Sequence, residues 1–310
     1  MGNFWSALAE SFPPKPTWGV YNIPDLTGKV VIVTGGNAGI GKETVKALLQ
    51  HNAKVYMAAR SEERAQASIT ALKEETGKDA IFLKLDLADL PQVRMAAEDF
   101  LSKEKELHIL FLNAGLMACP VDWTTAQGYD MQFGTNVIGH FFLTQLLLPA
   151  LLAATSASPA HEKARVVTTS SSGSFLTNDV FWDSIVDGPA RRKRQPYPLY
   201  FSSKFANVVV ARELARRHGD NLVSTSLNPG NLKTELSRHL GWFPHRKMFL
   251  YDVPLGALTQ LRAGTAPEAA DWNGKYLKPW GRIGKANPKA EDPAVGEKLW
   301  ARLEEEVKQY

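Results

Sequence analysis

Short apolar segments rich in β-branched residues alternate along this chain with amphipathic stretches of helical periodicity. The apolar segments cover residues 29–35 (KVVIVTG), 53–59, 80–86, 107–115, 164–171 and 222–230. The amphipathic stretches cover 40–50, 62–76, 91–105, 129–154 and 199–218. This alternation predicts βαβ units with right-handed crossovers. The predicted fold class is therefore α/β, a doubly wound parallel sheet with helices on both faces and a ligand site at the carboxyl ends of its strands.

The chain of 310 residues shows no break in composition that would divide it, and its 44% apolar content suffices for one large core. Residues 1–22 are rich in Pro and aromatic side chains, which predicts an irregular N-terminal extension. Residues 23–310 then form a single domain. Within it, 231–252 and 277–294 contain Gly, Pro and Trp and are predicted to be loops.

Composition argues against several classes of function. The 36 basic and 32 acidic residues are interleaved, so the charge pattern does not predict nucleic-acid binding. The single cysteine, Cys119, excludes an intramolecular disulfide and fits a reducing compartment. We find no apolar run of 18 residues and no paired histidines, so we expect neither a transmembrane segment nor a metal site. These features predict a cytoplasmic protein.

The first residues, MGNFWS, fit the M-G-x-x-x-[S/T] pattern of N-myristoylation. One acyl chain anchors a protein only marginally, so the pattern predicts peripheral membrane contact at most. The alternative is that residues 4–12 dock on the protein's own surface. The intact mass of protein made in its native type of cell would separate these alternatives.

A glycine-rich turn, TGGNAGIG, follows the first predicted strand and leads into the first predicted helix. Gly35, Gly39 and Gly41 permit a tight turn and let a pyrophosphate approach the backbone, next to the free N–H groups of the helix N-terminus. Asn37 and Ile40 are part of the same candidate cofactor site. The alternative is an ordinary strand-to-helix turn, but its position after the first strand favours dinucleotide binding.

Arg60 follows the second predicted strand, where an acidic residue would bind a ribose 2′-hydroxyl. A guanidinium at this position favours a 2′-phosphate, which predicts NADP(H) over NAD(H). The alternative is that Arg60 merely faces water. Lys42 is a second candidate for the phosphate contact.

Tyr200 and Lys204 are four residues apart in a predicted helix and therefore lie on the same face. The pKa of a free tyrosine is about 10, so its phenol exchanges protons poorly near neutral pH. A neighbouring ammonium favours the phenolate and is predicted to lower that pKa. The pair could then exchange a proton with an alcohol or carbonyl. A solvated helix face is the alternative.

Taken together, these motifs resemble the short-chain dehydrogenase/reductase family, and the later ones resemble its retinol-dehydrogenase-like branch. The resemblance spans about residues 25–280 and is carried by TGxxxGxG at 34–41, NAG at 113–115, FGTNVIGHFFLT at 133–144, RVVTTSSS at 165–172, YxxxK at 200–204 and NPGNLKTEL at 228–236. It implies a Rossmann fold and an oxidoreductase that uses a nicotinamide cofactor.

The resemblance also implies further catalytic roles. Ser171 would hydrogen-bond the substrate oxygen, with Ser170 as the alternative. The backbone of Asn136 would hold a water that relays protons to Lys204, which would itself bind the nicotinamide ribose.

Further cofactor contacts follow from the same resemblance. Asp86 would bind the adenine, with Leu87 beside it. Asn113, Ala114 and Gly115 would line the adenosine side. Leu232 and Thr234 would hold the carboxamide, and Pro229 and Gly230 belong to the same loop.

The segment that follows this loop, about 235–253, resembles the family's substrate lid. Its aromatic residues predict a small hydrophobic carbonyl or alcohol substrate, unless they pack on the body or on a partner. The resemblance also implies a homodimer paired through the helices of Asn136 and Tyr200. Between Ser171 and Tyr200 lies a long segment that contains RRKR at 191–194. We expect a solvated loop there, and the alternative is a nuclear signal or a contact with an anionic surface.

We therefore predict an NADP(H)-dependent oxidoreductase that interconverts a hydrophobic alcohol with its ketone or aldehyde. The alternative is a non-catalytic dinucleotide-binding sensor or scaffold. The identity and stereochemistry of the substrate and the physiological direction do not follow from the residues.

Overall fold

The computed structural model describes residues 2–158, 162–233 and 250–310. One eight-stranded sheet has the order β3-β2-β1-β4-β5-β6-β7-β8. Its strands are β1 Val30–Thr34, β2 Lys54–Ala59, β3 Ile81–Lys84, β4 Ile109–Leu112, β5 Ala164–Thr169, β6 Leu222–Leu227, β7 Tyr276–Lys278 and β8 Arg282–Gly284. Every neighbouring pair is parallel except β7 and β8. The predicted α/β fold class is confirmed.

Helices join the strands and cover both faces of the sheet, where two apolar clusters form the core. The helices are α1 Gly2–Glu10, α2 Gly39–Gln50, α3 Glu62–Thr76, α4 Leu90–Lys103, α5 Met131–Phe133, α6 His140–Ala157, α7 Pro189–Arg192, α8 Pro196–His218, α9 Val253–Thr265 and α10 Pro293–Val307. A π-helical segment, Gly134–Gly139, joins α5 to α6.

Local sequence explains the bounds of α3, which match the predicted 62–76. The Ser61 side chain accepts a hydrogen bond from the Arg64 N–H at the start of the helix. Glu62 and Glu63 occupy the first turn, and Gly77, at φ 72°, ends the helix in the left-handed region. The helix that follows β2 is therefore fixed at both ends by its own sequence.

Two sequence predictions about irregular segments were wrong. Residues 1–22 contain the helix α1 and a short 3₁₀ turn, Val20–Asn22. The predicted loop 277–294 contains most of the β7–β8 hairpin and another 3₁₀ turn, Pro288–Glu291. Three-residue strands are too short to show a periodic pattern, so no sequence signal marks them. Of the predicted loop 231–252, residues 231–233 and 250–252 are described, and Leu232 pairs with Tyr251.

Among the described residues, one continuous helical stretch, Met131–Ala157, is long and apolar enough to cross a membrane by length and composition. Its most apolar 18-residue window has a mean hydropathy of 1.8, but 67% of that window is buried within the protein. Helix α10 covers part of this layer, because Trp300 meets Phe141 edge-on with ring centroids 5.0 Å apart. The Arg217 guanidinium of α8 lies 4.7 Å from the centre of the Trp300 ring. Homodimer pairing through α6 and α8 stays a prediction.

The RRKR segment is not simply a solvated loop. Arg191 is buried and pairs with Asp187 at 2.7 Å and with Asp130 at 3.4 Å. Arg194 pairs with Asp183 and stacks on Phe181. Arg191 thereby ties the long segment before α8 to Asp130, whose carboxylate also accepts hydrogen bonds from the first turn of α5.

Candidate active site

A cleft of about 510 Å³ opens at the carboxyl edge of the sheet. The predicted site residues that line it are Gly35, Asn37, Gly39, Ile40, Arg60, Asp86, Leu87, Asn113, Ala114, Gly115, Ser171, Tyr200, Lys204, Pro229, Gly230 and Leu232. Gly41 and Asn136 are buried next to these residues. Thr234 and most of the predicted lid lie outside the described residues.

The part of the cleft around residues 35–41, which we call the glycine end, is formed by closely packed backbone. Gly35 and Gly39 have φ values of 65° and 54°, in the region that favours glycine. A Cβ atom on Gly41 would lie 2.2 Å from the Gly35 carbonyl oxygen. Helix α2 begins here with Ala38 as its N-cap, which supplies no side-chain acceptor, and with no acidic residue in its first turn. The turn therefore fits the pyrophosphate of a dinucleotide.

Asn113, which directly follows β4, forms hydrogen bonds with Thr34 at the end of β1. Its Nδ2 donates to the Thr34 carbonyl at 2.8 Å, and its N–H donates to Thr34 Oγ1 at 2.9 Å. Asn113 Oδ1 is buried and has no hydrogen-bond partner among the described residues. A polar atom in this position is available to a bound group.

Basic side chains line the far wall of the glycine end. Arg60 is exposed directly after β2, and Arg64, one turn into α3, lines the cleft with it. Sequence reasoning missed Arg64, although its spacing of four residues from Arg60 was a usable signal. Lys42 is not among the lining residues. Asp86, which follows the neighbouring strand β3, accepts a hydrogen bond at Oδ1 from the Ala88 N–H at 3.0 Å.

The other part of the cleft, which we call the tyrosine end, contains the side chains of Ser171, Tyr200 and Lys204 and the loop 228–232. The Ser171 hydroxyl lies close enough to the Tyr200 phenol to lower its pKa. Ser170 instead donates to the Lys204 carbonyl at 2.6 Å and is buried. Of the two serines, Ser171 is therefore the one that reaches the phenol. Its catalytic role stays a prediction.

Burial shifts the pKa values of both Tyr200 and Lys204. It raises the pKa of Tyr200 to about 12, against a smaller lowering by the Ser171 hydrogen bond. It lowers the pKa of Lys204 to about 8. The prediction that the pKa of the phenol is lowered was wrong, because desolvation of Tyr200 raises that pKa. Lys204 Nζ donates to the Thr169 carbonyl at 2.9 Å and lies 5.8 Å from the centre of the Tyr200 ring.

Asn136 lies within the π-helical segment, a feature that often occurs at functional sites. Its side chain binds the Leu116 backbone on both sides, accepting from the N–H at 2.8 Å and donating to the carbonyl at 3.0 Å. Its Nδ2 also donates to Ser203 Oγ at 3.0 Å. A Cβ atom on Gly115 would lie 3.2 Å from Asn136 Oδ1 and 3.4 Å from Lys204 Nζ, so a side chain there would press on both groups.

His140 connects the two ends of the cleft and was missed by sequence reasoning. Its Nδ1 lies 3.1 Å from the Asn136 carbonyl oxygen and its Nε2 lies 2.9 Å from Thr34 Oγ1. Burial lowers the pKa of His140 to about 3, so the ring is neutral. A neutral ring can donate from Nδ1 to the carbonyl and accept at Nε2 from the threonine hydroxyl.

Apolar side chains continue the cleft beyond Tyr200. Leu116, Met117, Met131 and Leu250 line it together with Thr135. Sequence reasoning missed Leu116, Met117 and Met131, because they come from two separate segments outside the motifs. Thr135 lies within the 133–144 motif and Leu250 within the predicted lid. The four apolar side chains form a wall next to the phenol.

The fold and this cleft define a class of protein, the oxidoreductases that bind a nicotinamide dinucleotide on a Rossmann-like sheet. Residues 29–182 match the family model described as short chain dehydrogenase. The chain belongs to the short-chain dehydrogenase/reductase family, in a retinol-dehydrogenase-like branch, and enzymes of this family act on CH–OH and C=O groups.

Three comparisons illustrate this membership. A short-chain dehydrogenase/reductase of Armillaria gallica is 62% identical over 100% of both chains. Human retinol dehydrogenase 12 is 36% identical, covering 89% of this chain and 85% of the human protein. The crystal structure of a short chain dehydrogenase of Shigella flexneri complexed with NADP aligns with a TM-score of 0.63 at 25% identity, covering 81% of this chain and 97% of that one.

Proposed function

We propose that the protein is an NADP(H)-dependent oxidoreductase that interconverts a hydrophobic alcohol with its ketone or aldehyde. The observation that carries this proposal is the cluster of Ser171, Tyr200 and Lys204 at the tyrosine end of a cleft whose glycine end fits a pyrophosphate. When bound, NADPH supplies a hydride and is oxidised to NADP⁺.

In the reductive direction, Tyr200 acts as the general acid. Its pKa of about 12 keeps the phenol protonated at neutral pH, so that it can donate this proton to the oxygen of a carbonyl substrate. Ser171 donates a second hydrogen bond to the same oxygen. The proton taken from Tyr200 is replaced from solvent.

In this proposal Lys204 orients the cofactor and stabilises the phenol oxygen as it loses its proton. Its ammonium binds the nicotinamide ribose and lies beside the phenol, where it stabilises negative charge on the oxygen as the proton leaves. Asn136 supports this arrangement through the Leu116 backbone and the Ser203 hydroxyl.

The preference for NADP(H) rests on two guanidinium groups. Arg60 and Arg64 line the glycine end, where a 2′-phosphate would accept charge-assisted hydrogen bonds. We expect Arg60→Asp to lower the ratio of kcat/KM for NADPH to that for NADH by about 10–100-fold, the loss of one charged contact. Lys42→Asp is the matched control, with an expected change below about twofold. An unchanged ratio in Arg60→Asp would refute the assignment.

The substrate class follows from the apolar wall of Leu116, Met117, Met131 and Leu250. Such a wall binds an apolar group by removing it from water and leaves only the carbonyl oxygen to be recognised by Ser171 and Tyr200. The proposed substrate is therefore a small, mostly hydrophobic ketone or aldehyde, or the matching alcohol.

A panel of carbonyl compounds of increasing hydrophobicity, followed by NADPH absorbance, tests the proposal. We expect turnover of apolar ketones or aldehydes and none of small hydrophilic ones. NADPH binding without turnover of any member would favour the alternative, a non-catalytic dinucleotide-binding sensor.

We place this activity in the cytoplasm, which the single buried thiol of Cys119 supports. Any contact with a membrane would be made by the N-terminus.

A further inference from the structure

Helix α1 places a carboxylate inside the protein, behind the tyrosine end of the cleft. Glu10 is the last residue of α1 and is only 6% exposed. Its Oε2 accepts from Asn228 Nδ2 at 2.8 Å and from the Tyr276 hydroxyl at 2.9 Å. Burial raises the pKa of Glu10, and these two donors oppose the shift. The cost of burying the carboxylate is therefore offset by two donors, and Asn228 itself lines the cleft.

Asn228 uses both ends of its amide. While Nδ2 donates to Glu10, Oδ1 accepts from the Gly230 N–H at 3.0 Å. Turning the amide by 180° would set its oxygen against the carboxylate and its NH₂ against the Gly230 N–H. Only one orientation satisfies both partners, so Glu10 determines how Asn228 closes the turn.

The Trp280 side chain packs against the turn that Asn228 closes. Gly230 has a φ of 92°, and a Cβ atom on it would lie 2.9 Å from the Trp280 side chain. Pro229, Gly230 and Leu232 then line the cleft. The loop 228–232 is thus held between Glu10 and Trp280.

We propose that Glu10 is a positioning residue for the loop 228–232 and that α1 is thereby part of the cofactor site. The inference rests on the proposed function, in which this loop holds the nicotinamide carboxamide. Glu10 touches neither cofactor nor substrate and acts through Asn228. By thermodynamic linkage, a cofactor that orders the loop also stabilises the docking of α1.

Glu10→Leu tests this role, because it removes the acceptor and leaves the Asn228 amide without its orienting partner. We expect the dissociation constant of NADPH, measured by fluorescence titration, to rise about tenfold. Glu10→Gln retains an oxygen that can accept both bonds and should restore binding. Tyr276→Phe removes the other donor but keeps the Asn228 contact, so its affinity should stay within about twofold of the unaltered protein. Unchanged NADPH affinity in folded Glu10→Leu would overturn the inference.

Hydrogen–deuterium exchange on the unaltered protein tests the same coupling without a variant. We expect saturating NADPH to slow exchange both in peptides that cover residues 5–12 and in peptides that cover residues 226–233. Slowing in 226–233 alone would overturn the inference. A protein that binds neither NADPH nor NADH would instead refute the proposed function, so the two failures are distinguishable.

Discussion

At its glycine end the cleft is built on the closely packed backbone of residues 35–41 and is also lined by Arg60 and Arg64, whereas at its tyrosine end it is formed by buried side chains that can titrate. The glycine end needs close approach, as the position of Gly41 against the Gly35 carbonyl shows. At the tyrosine end, burial shifts the pKa values of Tyr200 and Lys204. Substitutions at the two ends should therefore fail differently, by loss of packing at one and by loss of chemistry at the other.

The largest effect is expected for Tyr200→Phe. The variant lacks the proton donor but keeps the ring, so kcat should fall by about 10²–10⁴-fold. The dissociation constant of NADPH should stay within about twofold, because the phenol oxygen is not needed for cofactor affinity. Steady-state turnover and fluorescence titration measure the two quantities. Full activity in this variant would show that Tyr200 is not the acid.

The next largest effect separates the two serines. Ser171→Ala removes a donor to the substrate oxygen, and kcat should fall by about 10²-fold. Ser170→Ala is the matched control, because Ser170 donates to the Lys204 backbone carbonyl and not to the phenol. We expect Ser170→Ala to lower the melting temperature and to leave kcat nearly unchanged. The reverse ranking in kcat would transfer the catalytic role to Ser170.

At the glycine end, Gly41→Ala should act through packing. The added methyl group would overlap the Gly35 carbonyl, and the free energy of unfolding should fall by about 1–3 kcal/mol. Gly188→Ala is the control, because a Cβ atom there meets no atom within 4 Å and the backbone is extended. Urea titration of both variants tests this difference. Equal stability would mean that the turn can widen without cost.

A smaller effect is expected from pH. Lys204 is charged below its pKa of about 8, so the ammonium is present at neutral pH and is lost as pH rises through 8. The rate of carbonyl reduction should therefore decline above pH 8, by up to about tenfold per unit. Tyr200 adds no decline below pH 10, because its pKa is about 12. A flat profile of kcat from pH 7 to 10 would contradict this assignment.

The sequence predicted the glycine end better than the tyrosine end, for a physical reason. Gly35, Gly39 and Gly41 lie within seven consecutive positions, so one local motif describes their geometry. The Tyr200–Lys204 spacing was also readable, but the sign of the phenol's pKa shift was not, because it depends on burial. Glu10 reaches Asn228 across 218 positions, and no local pattern marks such a contact.

The helices and strands of the fold show the same difference: those set by local sequence were predicted, and those set by distant contacts were not. The bounds of α3 agree with its cap and its apolar pattern, whereas β7, β8 and α1 depend on packing against distant parts of the chain. His140 was missed because its contact with Thr34 spans 106 positions of the chain, and no local pattern marks it.

A crystal structure with NADP⁺ and a bound alcohol product tests the central claim most directly. We predict the product oxygen about 2.6–3.2 Å from both Tyr200 Oη and Ser171 Oγ, with the carbon that bears it over C4 of the nicotinamide ring. A phenol turned away from that oxygen, or a product bound at the glycine end, would contradict it.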